Sequence, residues 1–364
     1  MRMKKIILIA AVAIAAAACS KTFDTNLATE KAIGFGSWAE NLTKARVQGT
    51  STFKAGDTFK VSGFKTTGST DAKVFDNVSA VASGDPVDTW TYSPLRFWDS
   101  NADSYTFYAV SPAAAATVPY ADGKVTATDV VFAGNDNDIL VANKKVVTKT
   151  STPKIGQTVD LVFNHVASLV DIKVKKAHAL TNATVTVSAF SLNNIKSKGD
   201  LALNATTPYA ATTGVPAAEW SEEGTTANYG PANGVVPVTF DSTTPLTVSD
   251  DTNFESPYGK TPAASDFVVN NLVVMPQTFV QAAQQISITY KIAVTGGDTI
   301  EYTATKDLYD FDIVDDTDQN DNRVAKWEPG KHYTFYITLD ANAIKFSATI
   351  TPWTNEAGYH YIVK

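Results

Sequence analysis

The stretch QISITYKIAVTGGDTIEYTA, residues 285–304, decides the fold class. Ile286, Ile288, Tyr290 and Ile292 alternate with Ser287, Thr289 and Lys291. That period of two belongs to a strand with one buried and one wet face. The Gly296-Gly297 pair then turns the chain into Ile300, Tyr302 and Ala304, which reads as a hairpin. The same pattern recurs on both sides. Pro329-Gly330 makes a turn before Tyr333, Phe335, Ile337 and Leu339; residues 340–343 connect to Ile344, Phe346, Ala348 and Ile350. Upstream, Val170, Ile172 and Val174 alternate with Asp171, Lys173 and Lys175. No 3.6-residue pattern runs for three turns, and the alanines at 113–116 follow a proline in too short a run for a helix. The pattern predicts an all-β chain of antiparallel strands packed as sandwiches.

The first half is more aromatic. Gly56-Asp57 opens a strand through Phe59 and Val61, and Ile33 and Phe35 share one face of a short strand over 32–38. Residues 105–110 are apolar on both faces, as a doubly buried or short central strand would be. The polar run 145–156, with Pro153 and Gly156, reads as an interdomain connector, and Val159, Leu161 and Phe163 then resume alternation. Residues 205–265 are rich in Thr, Ala, Gly and Pro and read as long surface loops with a few strands.

Length and composition bound the function. The 364 residues suffice for two ordinary domains, and the 44% apolar fraction can build cores for them. With 30 basic against 37 acidic residues the net charge is −7, which argues against nucleic-acid binding. Arg2, Lys4 and Lys5 precede an unbroken apolar or small run over 6–18, and Cys19 follows as the single cysteine. A basic start, a run too short to span a bilayer and a cysteine after small residues describe a lipoprotein signal. Cys19 is then an acyl acceptor, since one cysteine makes no internal disulfide.

No chemistry-bearing constellation emerges. His165, His178, His332 and His360 lack metal-ligand spacing, and His165 reads as a structural histidine hydrogen-bonded at a strand end. There is no nucleophile elbow, phosphate loop or metalloprotease helix, so neither a catalytic residue nor a cofactor is assigned. The acidic run from Asp310 to Asp321 opens with the spacing of a calcium loop at Asp316, Asp318 and Asn320. Asp321 then stands where that loop needs glycine, and Trp327 where it needs glutamate, so an EF-hand loop is excluded; the run reads as a solvated acidic loop, with an irregular calcium site as the alternative. The tryptophans could include a sugar-stacking platform; core or interface packing accounts for most of them.

The order of landmarks adds a further reading. The lipoprotein signal precedes Ile33-Gly34-Phe35, Thr43-Lys44-Ala45-Arg46 and Phe53-Lys54-Ala55-Gly56-Asp57. Then come the aromatic block over 90–108, Leu161-Val162-Phe163-Asn164-His165 and Val274-Met275-Pro276-Gln277. The chain closes with Trp327-Glu328-Pro329-Gly330-Lys331-His332-Tyr333 and Thr351-Pro352-Trp353. This series resembles the fimbrillin family, the lipoprotein-precursor pilins of Bacteroidales that build type V pili.

The resemblance implies two transthyretin-like β-sandwich domains and a maturation mechanism. Residues 1–19 would be the signal ending at the acylated cysteine and 20–46 a propeptide carrying the first strand. Residues 47–157 would form the N-terminal domain and 158–364 the C-terminal domain, with a donor strand near 354–364. The precursor would sit in the outer membrane through its lipid until an arginine-specific protease cuts between Arg46 and Val47. The first strand would then leave, and another subunit's C-terminal strand would fill the groove. In the tail, Tyr359, Tyr361 and Val363 alternate with His360, Ile362 and Lys364, and both faces are partly apolar, so the pattern leaves the register open. A cut site and a donor tail together favour a stalk subunit of a surface fimbria. The alternatives are a tip adhesin of the same pilus and an anchored glycan-binding lipoprotein.

Overall fold

A computed structural model describes residues 31–36, 53–84, 87, 89–118, 124–132, 138–177, 180, 182–204, 218–222, 226–229, 246–247, 267–313, 323–341 and 345–352. The N-terminal half contributes β1 (Phe35–Gly36), β2 (Thr58–Thr67), β3 (Thr70–Ser83), β4 (Thr89–Tyr92), β5 (Ser104–Ser111), β6 (Lys124–Val131), β7 (Leu140–Ala142), β8 (Lys145–Thr148), β9 (Val159–Asp160) and β10 (Phe163–His165). The C-terminal half contributes β11 (Ser168–Lys176), β12 (Ala183–Lys196), β13 (Lys198–Asn204), β14 (Ala218–Glu222), β15 (Thr226–Tyr229), β16 (Leu246–Thr247), β17 (Phe267–Val274), β18 (Gln277–Thr278), β19 (Gln285–Val294), β20 (Thr299–Asp307), β21 (Asp312–Ile313), β22 (Lys326–Trp327), β23 (Lys331–Leu339) and β24 (Lys345–Pro352). The chain is all-β, with one helical turn at Leu308–Asp310 among the named elements.

In the C-terminal half two sheets pack face to face, one ordered β17-β11-β23-β24-β21 and the other β15-β12-β19-β20. Val170, Ile172, Phe335 and Ile337 of the first meet Val185, Val187, Ile288 and Tyr290 of the second in one core. The hairpin that decides the fold is present as β19 and β20, paired antiparallel from Gln285 and Asp307 to Ala293 and Thr299. Its edge strand is wetter than the alternation predicts, and Ile300 is 53% exposed.

In the N-terminal half one sheet runs β10-β7-β5-β2-β3-β4, with β8 also paired to β5. Its core holds Phe59, Phe75, Trp90 and Phe107 together with Ile33 and Phe35. Phe163 and Val159 lie in the same core, and β10 pairs β7 while β9 pairs β1. Strands β9 and β10 thus pack with the strands of the N-terminal half.

A third core joins the halves. Strands β14, β13 and β6 form one sheet, so a strand of the first half hydrogen-bonds a strand of the second. Tyr108, Val110 and Val141 there meet Leu169, Leu201, Val273 and Met275. This explains why β5 is apolar on both faces: Tyr105, Phe107 and Ala109 serve one core and Tyr108 and Val110 the other.

Two sequence expectations are corrected here. Asp171 and Lys173 read as the wet face of a strand, yet each is only 5% exposed. The Asp171 carboxylate lies 2.9 Å from His332 Nε2, and Lys173 sits over the Tyr336 ring at 5.5 Å. Burial of charge is tolerated where partners of that kind are supplied. The strands are also not all antiparallel: β11 runs parallel to β23, β21 to β24 and β1 to β9.

Candidate functional site

In the N-terminal half the first described segment completes the core. Residues 31–36 lie between the 96–98 segment on one side and β9 on the other. The Ile33 N–H donates to the Arg96 carbonyl at 2.8 Å, and the Trp98 N–H donates to the Lys31 carbonyl at 3.0 Å. On the far side the Val159 N–H reaches the Gly34 carbonyl at 2.8 Å, and the Leu161 N–H reaches the Gly36 carbonyl at 3.2 Å. The Tyr92 hydroxyl donates to the Ile33 carbonyl at 2.7 Å, and burial pushes that phenol's pKa up.

Side chains complete the seat. Phe35 is 3% exposed and inserts among Phe59, Phe75, Tyr92 and Phe107, with ring centroids 5.5–5.8 Å away and edge-on geometry throughout. Ile33 is buried on the same face. A Cβ at Gly36, where the backbone passes β9, would lie 2.8 Å from an Asp160 carboxylate oxygen, and that side chain would have to shift to admit it. The alternation of Ile33 and Phe35 between glycines thus fits a narrow slot. Beyond it, Phe53 returns to the same core, packing on Trp90 at 5.1 Å and Phe163 at 5.4 Å.

The residues singled out in the sequence, Cys19, Arg46, Val47, Tyr359, Tyr361 and Val363, lie outside the described residues, as do Trp38 and Trp353. What the structure describes is the ground on either side of them. The connection carrying Arg46 leaves the seat at Gly36 and rejoins the core at Phe53; the tail departs after β24, whose Pro352 pairs with Lys331.

Of the remaining polar candidates, those among the described residues make internal contacts. His165 Nδ1 lies 3.0 Å from the Asp138 carboxylate, both side chains buried, as read from the sequence. Asp310 faces Arg323 at 3.7 Å, and residues 314–322 of the acidic run lie outside the described set. Among the described residues no group of three or more His, Cys, Asp or Glu side chains could hold a metal ion. Trp90, Trp98 and Trp327 are buried. Trp220 donates its indole N–H to the Val166 carbonyl at 2.8 Å and packs on Phe132. Among the described residues no helix is long and apolar enough to cross a membrane.

Sequence reasoning missed the partner of the first strand. The 93–97 segment has no strand pattern, and only its tertiary pairing with Ala32, an antiparallel bridge to Phe97, marks it.

A family model described as fimbrillin-like matches residues 43–353. No curated protein matches the sequence. Among solved structures, a fimbrial protein from Bacteroides vulgatus is similar with a TM-score of 0.51 at 17% identity, covering 89% of this chain and 100% of that one. A candidate cell adhesion protein from Bacteroides uniformis gives 0.49 at 16%, covering 90% and 98%. A fimbrilin from Porphyromonas gingivalis gives 0.41 at 11%, covering 89% and 97%.

Proposed function

Because this chain belongs to the fimbrillin-like family, we propose that it is the precursor of a structural pilin, assembled with other pilin subunits into a surface fimbria. Lipidation at Cys19 delivers it to the outer membrane. An arginine-specific protease then cuts between Arg46 and Val47, and the strand over 31–36 gives way to the C-terminal strand of a neighbouring subunit. The stalk position follows from having both a cut site and a donor tail.

The observation that carries this reading is the separation of seat from tether. Every contact described above between residues 31–36 and the sandwich is non-covalent, while the covalent link runs through 37–52, where Arg46 lies. Seating Ile33 and Phe35 contributes about 3–6 kcal/mol, taking about 1.5–3 kcal/mol per buried side chain. While the link is intact, the strand faces its seat at an effective concentration of the order of millimolar or above. Cutting the link removes that advantage and makes departure a true dissociation. A departed strand exposes unpaired N–H and C=O groups above an apolar core, which a donated strand satisfies. Three large apolar donor side chains would contribute about 4.5–9 kcal/mol before ordering entropy, more than the two of the native strand. Tyr359, Tyr361 and Val363 are the donor residues on this account.

A glycan platform draws no support from the described tryptophans, all four of which are spent on packing. The test is treatment of the exported chain with an arginine-specific protease, followed by intact mass and an unheated detergent gel. A single early cut after Arg46 with a heat-sensitive ladder is expected. A persistent monomer after that cut would overturn polymerisation, and resistance at Arg46 would overturn the processing site.

A further inference from the structure

We propose that Arg96–Phe97 is a second, conditional cleavage site for an arginine-specific endopeptidase, shielded by whichever strand occupies the 31–36 seat. This rests on the processing reading above and adds a consequence to it: a subunit whose groove is empty is destroyed by the enzyme that opened it.

After the signal, the chain has three arginines, Arg46, Arg96 and Arg323. Arg96 sits in an irregular surface segment between β4 and Trp98, flanked by the exposed side chains of Leu95 and Phe97. An exposed loop with an arginine is the ordinary substrate of such an enzyme. Three features withhold it. The carbonyl of the scissile bond accepts the Ile33 N–H at 2.8 Å, with the Tyr92 hydroxyl at 3.3 Å. Two residues on, the Trp98 N–H is held by the Lys31 carbonyl at 3.0 Å. The Arg96 side chain donates through Nε to the Val74 carbonyl at 3.0 Å, with Nη1 3.4 and 3.5 Å from the carbonyls of Pro94 and Leu95. Hydrolysis needs the scissile carbonyl in the enzyme's oxyanion hole and the guanidinium in its specificity pocket. The first strand occupies the carbonyl directly. When that strand leaves, the Ile33 and Lys31 bonds go together and the bond becomes a substrate. Water then adds its hydroxyl to the Arg96 carbonyl carbon and a proton to the Phe97 nitrogen as the Arg96–Phe97 C–N bond breaks, leaving a new carboxyl group and a new amine with no change of oxidation state.

A donated strand that restores a donor opposite Arg96 restores the shield. Filled grooves survive and empty ones are cleared.

The test uses the full exported chain carrying Arg46→Ala, so that the strand stays tethered and no processing is needed. Cleavage by an arginine-specific endopeptidase is followed by mass at Arg96, with Arg323 as the internal reference. Adding Phe35→Ala should raise cleavage at Arg96 at least about tenfold relative to Arg323, since cleavage of a fast-opening site tracks the open population. Tyr92→Phe, which keeps the ring and loses the hydroxyl, should raise it about threefold. An unchanged ratio in Phe35→Ala overturns the proposal. If that variant cuts equally at both sites, the chain has unfolded as a whole and Tyr92→Phe decides, with no rise at Arg96 overturning it. A parallel digest retaining Arg46 keeps the two ideas apart, because resistance at Arg46 sinks the processing reading without touching the Arg96 comparison.

Discussion

The two sandwiches are closed in opposite ways. In the C-terminal half, long strands do the closing: β23 pairs along its length with β11 on one side and β24 on the other, and β12 and β19 run together from Ala183 to Asn193. Sequence-distant strands are thus locked by ladders that cannot be lifted out singly. In the N-terminal half, the described segment 31–36 pairs with Val159 and Asp160 on one side and bridges to Phe97 on the other, and one aromatic side chain plugs a socket of four rings. On the proposed account, exchange falls to the half whose closing strand is joined to it through the link that carries Arg46.

That contrast can be broken at several levels. The largest effect should come from deleting residues 359–364, which on this account leaves a folded, cleavable subunit and abolishes fibre growth. Normal ladders on an unheated gel from the truncated chain would remove the tail as donor. Next come paired core truncations. Phe335→Ala, which empties a site against Phe311, should cost about 3–5 kcal/mol in precursor and fibre alike. Phe35→Ala should cost about 3–5 kcal/mol in the precursor and, on the proposed account of strand departure, nothing in the fibre. Thermal or denaturant unfolding of both forms checks this, and equal losses for the two variants in the fibre would erase the distinction.

A smaller effect attends Tyr92→Phe, which deletes the hydroxyl bonded to Ile33 and should lower precursor stability by about 0.5–1.5 kcal/mol in chemical denaturation. The smallest is electrostatic. The Lys65 ammonium, 2.5 Å from Asp99, and the Asn101 N–H hold the Asp99 carboxyl below its ordinary value. Its stabilisation is therefore present above the unfolded carboxylate pKa and is lost as pH falls through the lowered folded value. The pair is about a third exposed, so Asp99→Asn should cost under about 1 kcal/mol at neutral pH and should flatten the acid limb of a stability–pH curve.

Much of this was readable in the residues because alternation reports one buried face. Residues 286–292 and 333–339 have a single core to serve, and their pattern is clean. Where a strand serves two cores the pattern fails in a characteristic way. Tyr105 to Val110 lost its alternation and was still recognisable as doubly buried, whereas Asp171 and Lys173 kept theirs and misled, since His332 and Tyr336 supply their partners from a distant strand. The shared sheet of β6 and β13 left no local mark, because pairing across some seventy residues depends on tertiary packing. The same holds for the seat: Ile33 and Phe35 announce a strand, but nothing in 93–97 announces its partner.

The most direct test of the central claim is hydrogen exchange at the amides of Trp98, Val159 and Leu161, which donate to carbonyls of residues 31–36. They should be protected in the precursor, lose protection in the cleaved monomer and regain it in the assembled fibre. Protection that survives cleavage and release of residues 19–46 would mean the strand does not close the N-terminal sandwich, and would contradict the account.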